Sequence, residues 1–588
     1  MSKSGRTVVW IAAAVLIGAS GPLLPEFYVT LLNYIGLYAL VALGLVVLTG
    51  VSGITSFGQA AFVGIGAYTT TVVTVTFGLS PWLGLVAGLV VSFVVALVLG
   101  AITLRLSGHY LPLGTICWSV SLYYVFGNMA ELGGQLGVNG IPPITILGWP
   151  LDTGRSMYYL IWLCTLGAML LTDNVLRSRV GRAMRALKYN GEMAESFGVN
   201  GSRMKLLVFV YAAVLAALSG WLYAHLLRFV NPAPFGINMS IEYLFMAVVG
   251  GAGYVWGAVL GSAVITILKE LLQDILPSIL GRNGNFEIIA FGALIILLLQ
   301  ANRDKGFGLL FELFDRKETG SAGANRLPKP MRVKPADPLL AARTVTRTFG
   351  GLVAVNKVTF DVRPASIVAV IGPNGAGKST LFSLLTRLLD LNGGEVHFGG
   401  HRIDRLAPHE LVRRGISRSY QHVRLVPDRT VLENVMLGGY CRTSRGPFAA
   451  AIGLGFEQEL QLQGEAEAQL KRLGLLAHKD ELAGNLSLGQ QRLVEIARAL
   501  ASAPSLLLLD EPAAGLRHHE KEELARLLGE LRSEGMTILL VEHDMRFVMT
   551  LADNIVVLNF GKMLAEGVPR EVRANPVVLE AYLGKSVR

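Results

Sequence analysis

Charged residues are scarce in this chain: they make up 16% of its 588 positions, against 52% hydrophobic ones. An average soluble protein carries about 25% charge, so an ordinary soluble chain is excluded and much of this one faces lipid. Cysteine is nearly absent. The three thiols, Cys117, Cys164 and Cys441, lie far apart, which implies no disulfide framework and no thiolate metal site. The net charge of +10 does not point to nucleic acid either. Arg and Lys gather in short segments between apolar runs, the positive-inside pattern of a membrane protein.

What is present divides the chain at about residue 302. A spanning helix needs about 20 apolar residues. Candidate spans are Val8 to Leu24, Tyr28 to Thr49, Phe62 to Phe77, Trp82 to Leu104, Leu111 to Met129, Tyr158 to Thr172, Leu206 to Leu227, Ile241 to Val249, Val255 to Leu272 and Ile288 to Leu299. These predict about eight to ten passes, the short runs being re-entrant or packed inside the bundle. The first run follows Lys3 and Arg6 and reads as an uncleaved membrane helix, with small residues near Ala19 and Ser20 leaving a cleaved leader as the alternative. Gly58, Gly64 and Gly66, and again Gly250, Gly251, Gly253, Gly257 and Gly261, fit either tight helix packing or the trace of an inverted repeat.

The longest polar interruption, Arg177 to Lys205, holds Arg177, Arg179, Arg182, Arg185 and Lys188 and is therefore cytoplasmic. A short helix there would present Glu192, Ala194 and Gly198 to a cytoplasmic domain, the alternative being a solvated loop. Glu131, His225, Arg228, Glu242, Lys269, Asp274 and Glu287 lie within or beside apolar runs. Most sit near predicted span ends, where they reach polar surroundings, and His225 reads as a packed, hydrogen-bonded residue. Residues 303–339, rich in Gly, Ser and Pro after Arg303, Lys305, Arg316 and Lys317, read as a cytoplasmic linker, with an amphipathic piece at Phe307 to Phe314.

From residue 340 to 588 apolar strands alternate with helical stretches, at Ile367 to Ile371, Leu506 to Leu509, Ile538 to Val541 and Ile555 to Leu558. That predicts a wound parallel sheet flanked by helices. Gly372-Pro373-Asn374-Gly375-Ala376-Gly377-Lys378-Ser379-Thr380 follows the first of these strands and matches the Gly-x-x-x-x-Gly-Lys-Ser/Thr phosphate loop. Glycines let backbone N–H groups close around phosphate oxygens. Lys378 reaches the β and γ phosphates, Ser379 ligates Mg²⁺, and a helix starting near Ser379 turns its positive end toward the anion. Leu506-Leu-Leu-Leu-Asp510-Glu511 ends a buried strand with two carboxylates. Asp510 is placed to hold Mg²⁺ and Glu511 to orient or deprotonate the attacking water, unless the pair merely caps the next helix.

Leu486-Ser-Leu-Gly-Gln490 and the Gln491-Arg-Leu-Val-Glu-Ile-Ala-Arg-Ala run after it resemble the signature helix of ABC transporter ATPases. Gln421 in Ser-Tyr-Gln-His resembles their Q-loop, His543 in Val-Glu-His-Asp their switch histidine, and Phe349 in Thr-Phe-Gly-Gly their adenine-stacking aromatic. The resemblance implies that Ser487, Gly489 and Gln490 cover nucleotide bound to a second copy, that Gln421 joins Ser379 and Asp510 at Mg²⁺, and that His543 and Lys378 act with Glu511 in hydrolysis. Asn374, Arg418-Ser-Tyr-Gln421, Val431-Leu-Glu-Asn434, Ala513-Ala-Gly-Leu516 and Ala581-Tyr-Leu-Gly584 narrow it to the ATPase subunit of branched-chain amino-acid importers. Ser56-Phe-Gly-Gln-Ala-Ala-Phe62 and Gly181-Arg-Ala resemble a permease subunit of the same system. Two positions depart from the pattern: Arg517 stands where Asn or Asp is usual, leaving its role open, and Leu488 replaces Gly or Tyr within the signature.

The expected protein is thus multidomain, with an N-terminal polytopic all-α transmembrane permease (1–302), a linker (303–339) and a C-terminal α/β P-loop ABC ATPase (340–588). The resemblance implies ATP and Mg²⁺ as cofactors, an extracytoplasmic substrate-binding protein, and a second permease and ATPase, heteromeric by preference though a homodimer is open. The place is the bacterial cytoplasmic (inner) membrane, with lipid around the spans. Urea, short amides or aromatic acids remain alternative cargoes, and a non-transporting membrane-anchored ATPase or an exporter are alternatives of a different class. The polar segment Arg177 to Lys205 favours an importer permease.

Overall fold

The computed structural model describes residues 3–280, apart from 107 and 109, and residues 336–583, with positions 292, 293, 300 and 327 between them. The expected span Ile288 to Leu299 and Glu287 lie almost wholly outside the described residues, as do Gly584, the amphipathic piece Phe307 to Phe314 and nearly all of the linker. Two compact units emerge, and their boundary in sequence is not a single cut. One holds residues 1–177, 202–320 and 451–453. The other holds residues 178–201, 321–450 and 454–588.

The membrane unit is built of α1 (Lys3–Leu23), α2 (Glu26–Leu45), α3 (Gln59–Thr71), α4 (Pro81–Thr103), α5 (Tyr110–Asn128) and α6 (Gly154–Arg177); α7 (Arg179–Tyr189) and α8 (Gly191–Ser196) follow in the other unit, and the chain returns with α9 (Gly201–Leu227), α10 (Ile237–Val249) and α11 (Val255–Leu280). Among the described residues five helical runs are long and apolar enough to cross a membrane: Glu26–Val51, Pro81–Thr103, Gly154–Arg177, Gly201–Leu227 and Val255–Gln273. Val8–Leu23 and Ile237–Val249 are apolar but shorter. The sequence runs Phe62 to Phe77 and Leu111 to Met129 fall on α3, extended by a π-turn at Val72–Thr76, and on α5. The unit is not purely helical, since Val138–Asn139 pairs with Phe229–Val230 and Ile144–Ile146 with Trp149–Leu151 in two short antiparallel ribbons.

α3 is buried along nearly all of its length, and its glycines explain how. A Cβ on Gly66 would strike the Ala217 carbonyl of α9, and one on Gly220 of α9 would strike the Val63 carbonyl of α3. Without side chains at these points the two backbones touch, which is how small residues drive association in lipid, where burial of apolar surface gives no net force. The second glycine cluster does the same between α10 and α11: Gly250 abuts the Gly257 carbonyl and Gly261 the Met246 carbonyl.

The other unit contains two sheets. Six strands run in the order Ile416–Arg418, Leu506–Asp510, Thr537–Val541, Ile367–Ile371, Asn554–Asn559 and Lys562–Gly567, all parallel except the last. Leu506–Asp510, Thr537–Val541 and Ile367–Ile371 are buried at every residue, as strands covered by helices on both faces must be. A four-stranded antiparallel sheet centred on Leu340–Phe349 lies beside it in the same unit, sharing a core that joins Val345 and Phe360 to Leu381, Phe382 and Leu508. The acidic pair at 510 and 511 caps no helix, because the next one, His518–Ser533, starts with Arg517 at its N-cap.

Gly66→Val should lower the melting temperature of the detergent-solubilised protein, by roughly 1–3 kcal/mol of stability if the helices part to admit the side chain. Gly167→Ala, where an added Cβ meets nothing, serves as control and should leave the melting temperature unchanged; equal behaviour of the two would remove the close-approach argument.

Candidate functional site

In a parallel sheet, chemistry collects where the strands end at their carboxyl edge, at the point where strand order reverses. Ile367–Ile371 is that point here, flanked by Thr537–Val541 and Asn554–Asn559. The loop leaving it needs backbone that ordinary residues resist. Gly375 and Gly377 adopt φ of +81° and +97°, and a Cβ on Gly377 would strike the Ala354 carbonyl. The helix Lys378–Leu385 begins at once, so its first N–H groups and positive end face the loop.

Lys378 is largely buried, and its Nζ donates to the carbonyls of Gly372 (2.8 Å) and Pro373 (3.0 Å). Burial pulls its ammonium below the usual range, and Glu511 and Asp510 oppose the shift. Ser379 and Asn374 are exposed along the loop. The C-terminal helix Pro576–Leu583, which carries the Ala581-Tyr-Leu run, brings Tyr582 beside the Gly372 backbone.

Asp510 ends its strand in a buried position, 3.9 Å from the Arg418 guanidinium through Oδ2. Burial pushes its carboxyl above the usual range, Arg418 pulls it back, and Glu511 pushes the same way as burial. Its Oδ1 is buried without a hydrogen-bond partner. Such an oxygen is costly unless something positive or protic meets it, which is what a divalent cation or its water would supply. Glu511 has φ of +50°, strained for a residue with a side chain and of a kind that clusters at active sites. Its N–H donates to the Val541 carbonyl at 2.9 Å, and its Oε2 lies 3.8 Å from Nδ1 of the exposed His543.

The structure therefore brings Gly372 to Thr380, Asp510, Glu511 and His543 to one edge. Gln421 sits three residues beyond Ile416–Arg418 on the same edge. Phe349 stands half exposed where its strand ends, with Arg347 stacked 4.8 Å over the ring. Ser487, Gly489 and Gln490 form the start of the helix Leu488–Ala501, with Ser487 and Gln490 closing a reciprocal capping box. Leu488 is exposed beside Gly515, and Arg517 is fixed by its N–H donating to Glu520.

Three residues that tie the edge together lie inside the quoted motifs but carry no role in the sequence reading. Arg492, one turn into the signature helix, donates to the carbonyls of Gln421 (2.8 Å) and Ala514 (2.9 Å), joining the Q-loop to the segment after Glu511. Arg418 bonds Thr386 and faces Asp510. Glu542, fully buried, accepts from the N–H groups of Ala513 (2.7 Å) and His543 (3.0 Å). Beyond those motifs, the signal is a charge set inside or beside an apolar strand or helix face, which must find partners when buried.

Residues 178–201 belong to this unit. Arg182 pairs with Glu459 at 2.6 Å, and the Arg179 N–H donates to the same carboxylate. Glu192 pairs with Arg424 at 2.6 Å, and its carbonyl accepts from the Tyr420 hydroxyl. Ala194 is fully buried, and Gly198 abuts Cys441 and Val412. The segment expected to meet a cytoplasmic domain thus packs through Glu192, Ala194 and Gly198, with Glu192 touching Tyr420, the residue before Gln421.

A phosphate loop, a carboxylate pair at the neighbouring strand end, a capped signature helix and a preceding helical membrane unit define an ATP-binding cassette transporter with permease and ATPase in one chain. The family model for the branched-chain amino acid transport system permease component matches residues 27–300, the ABC transporter model residues 355–514, and the branched-chain amino acid ATP-binding cassette transporter model residues 562–588. The chain is 42% identical over 254 residues to the high-affinity branched-chain amino acid transport ATP-binding protein LivG of Salmonella typhimurium, covering 43% of this chain and 100% of LivG. To BraF of Pseudomonas aeruginosa it is 41% identical over 256 residues, 42% of this chain and 99% of that protein. A nucleotide-free ATP-binding cassette from an ABC transporter aligns with 31% identity and a TM-score of 0.38, over 42% of this chain and 99% of the other. The chain belongs to the branched-chain amino acid transport family of ABC transporters, and its second unit is an ATPase that couples hydrolysis to transport.

Glu542→Ala should destabilise the ATPase unit by roughly 2–4 kcal/mol, because the buried Ala513 N–H loses its acceptor. Glu542→Gln keeps one acceptor oxygen and should cost less; differential scanning of the full-length protein reads both, and equal losses would contradict this account.

Proposed function

We propose that this protein imports branched-chain amino acids across the bacterial cytoplasmic (inner) membrane, driven by Mg·ATP hydrolysis. One observation carries the coupling: residues 178–201 are packed into the ATPase unit, while α6 and α9 on either side of them are membrane helices. Movement of the Q-loop region around Tyr420 and Arg424 reaches Glu192, and movement of the helix Phe456–Arg472 reaches Arg179 and Arg182 through Glu459, all within the segment that joins α6 to α9. The cargo class rests on the relatives, whose names give branched-chain amino acid transport.

In this reading the backbone of Gly372 to Thr380 and the Lys378 ammonium hold the phosphates, Lys378 exchanging its two carbonyl partners for phosphate oxygens. Ser379, Gln421 and Asp510 would hold Mg²⁺, which would supply positive charge beside the phosphates. Glu511 accepts the proton of the attacking water or orients it, and His543 stays beside it as the contact to the γ phosphate. Phe349 stacks on adenine. Ser487, Gly489 and Gln490 serve the nucleotide of a second ATPase, so the working assembly has two ATPase and two permease units, by preference heteromeric, and takes cargo from an extracytoplasmic binding protein.

Glu511→Gln should lower turnover by about 10²–10³-fold with nucleotide affinity retained, as read by phosphate release and by equilibrium binding; full turnover would remove Glu511 from the mechanism. Leucine-loaded binding protein should stimulate ATP hydrolysis by the assembled transporter in proteoliposomes. Stimulation by urea, an amide or an aromatic acid instead would reassign the cargo, and stimulation by none would end the importer reading. Glu459→Ala should uncouple the two activities by weakening docking of residues 178–201 by roughly 2–5 kcal/mol, seen as less leucine moved per ATP hydrolysed; an unchanged ratio would exclude that path.

A further inference from the structure

Among the described residues, ion pairs in the membrane unit fall into two kinds. Arg155 with Glu26 and Arg177 with Asp173 sit at helix ends, where charge reaches water or headgroups. Glu242 and Lys269 do not. Glu242 lies inside the short apolar helix Ile237–Val249 and Lys269 inside the apolar span Val255–Gln273, roughly 21 Å along α11 from Val255 at 1.5 Å per residue. Lys269 Nζ donates to both Glu242 oxygens, at 2.9 and 3.0 Å. Both residues fall in the first or last turn of the apolar runs Ile241 to Val249 and Val255 to Leu272, and the structure pairs them across α10 and α11.

A charge pair inside apolar helices is expensive, and packed apolar residues would serve stability as well or better. Its surroundings are also not those of a sealed structural bridge. The exposed stripe of α11 is Ile267, Leu271 and Ile275, and Lys269 lies about 160° round the helix from the first two. Even so, its side chain is 42% exposed and that of Glu242 19%, so the pair opens on a side other than the apolar stripe. Ser262 and Thr266, four and three residues apart from one another and from Lys269, place further polar atoms on that same face. Their hydroxyls are buried and have no hydrogen-bond partner. Tyr243, next to Glu242 on α10, packs against Tyr38 of α2 (5.6 Å between rings), whose ring in turn meets Tyr34 (5.8 Å).

We infer that Glu242 and Lys269 form the intramembrane recognition site for a zwitterionic α-amino acid, each charge exchanging its present partner for the complementary charge of the cargo. Glu242 accepts from the α-ammonium and Lys269 donates to the α-carboxylate, so one protein ion pair becomes two protein–cargo pairs and no net charge enters the apolar span. The tyrosine faces cover an aliphatic side chain. Ser262 and Thr266 supply the hydroxyls met next along α11. The inference rests on the importer reading above and names the part of the permease that reads the backbone of its cargo.

The test is uptake of labelled leucine by the assembled transporter in proteoliposomes, driven by ATP and saturating leucine-loaded binding protein. The double variant E242Q/K269Q removes both charges, so no unpaired charge is left in the membrane and folding is preserved; chromatographic assembly and melting temperature verify this. Its uptake should fall roughly thirtyfold or more, the loss expected when buried charge recognition is removed. The exchange variant E242K/K269E rebuilds a protein ion pair but presents each charge to the wrong end of the cargo, and should not recover wild-type uptake. Uptake by the double variant within about twofold of wild type, too small to be a lost charge contact, or full recovery in the exchange variant, makes the pair a structural bridge and overturns the inference alone. A wild-type transporter that moves no leucine overturns the importer reading and the inference with it.

Discussion

The ATPase unit depends on the hydrogen bonding of one buried strand. Ile367–Ile371 has no exposed residue and takes parallel partners on both sides, Thr537–Val541 and Asn554–Asn559. Buried backbone polar groups must be paired, so the strand is fixed in register and its carboxyl end cannot wander. The phosphate loop starts from that end and Glu511 is anchored to the neighbouring strand through Val541. Lys378, Asp510 and Glu511 are consequently held near one another by the sheet, and the loops need only supply conformations. Gly377 and Glu511 do so with positive φ.

The same rule acts on the charges at that edge. Glu542, Arg492 and Arg418 are buried or nearly so, and each has converted the cost of burial into a constraint on a neighbouring segment: Glu542 on the Ala513 turn, Arg492 on the Q-loop, Arg418 on Thr386 and Asp510. Asp510 Oδ1 is the exception. A site with every partner but one filled is specific for what completes it.

Much of this is legible in the sequence. The phosphate loop, the apolar strands and the carboxylates after Leu509 are local patterns, and local patterns survive in sequence. The basic segment Arg177 to Lys205 was legible as cytoplasmic because charge asymmetry is compositional. What escaped were pairings between distant positions. Nothing in the sequence near Lys269 names Glu242, and nothing near Arg182 names Glu459, since a salt bridge leaves no periodicity. The short runs behave as expected: α3 and α10 pack inside the bundle, where glycines such as Gly66 and Gly250 let them approach other backbone.

The placement of residues 178–201 in the ATPase unit has a consequence for assembly. A separate ATPase subunit finds its permease by diffusion, and its occupancy depends on how much of each is made. Here the ATPase is continuous in chain with the membrane helices, and its seat is a segment of that same chain. Docking is then an intramolecular event governed by effective concentration, so the fraction docked is independent of expression level and a weak contact suffices to keep it occupied. A transporter built this way can afford a seat loose enough to move in every cycle.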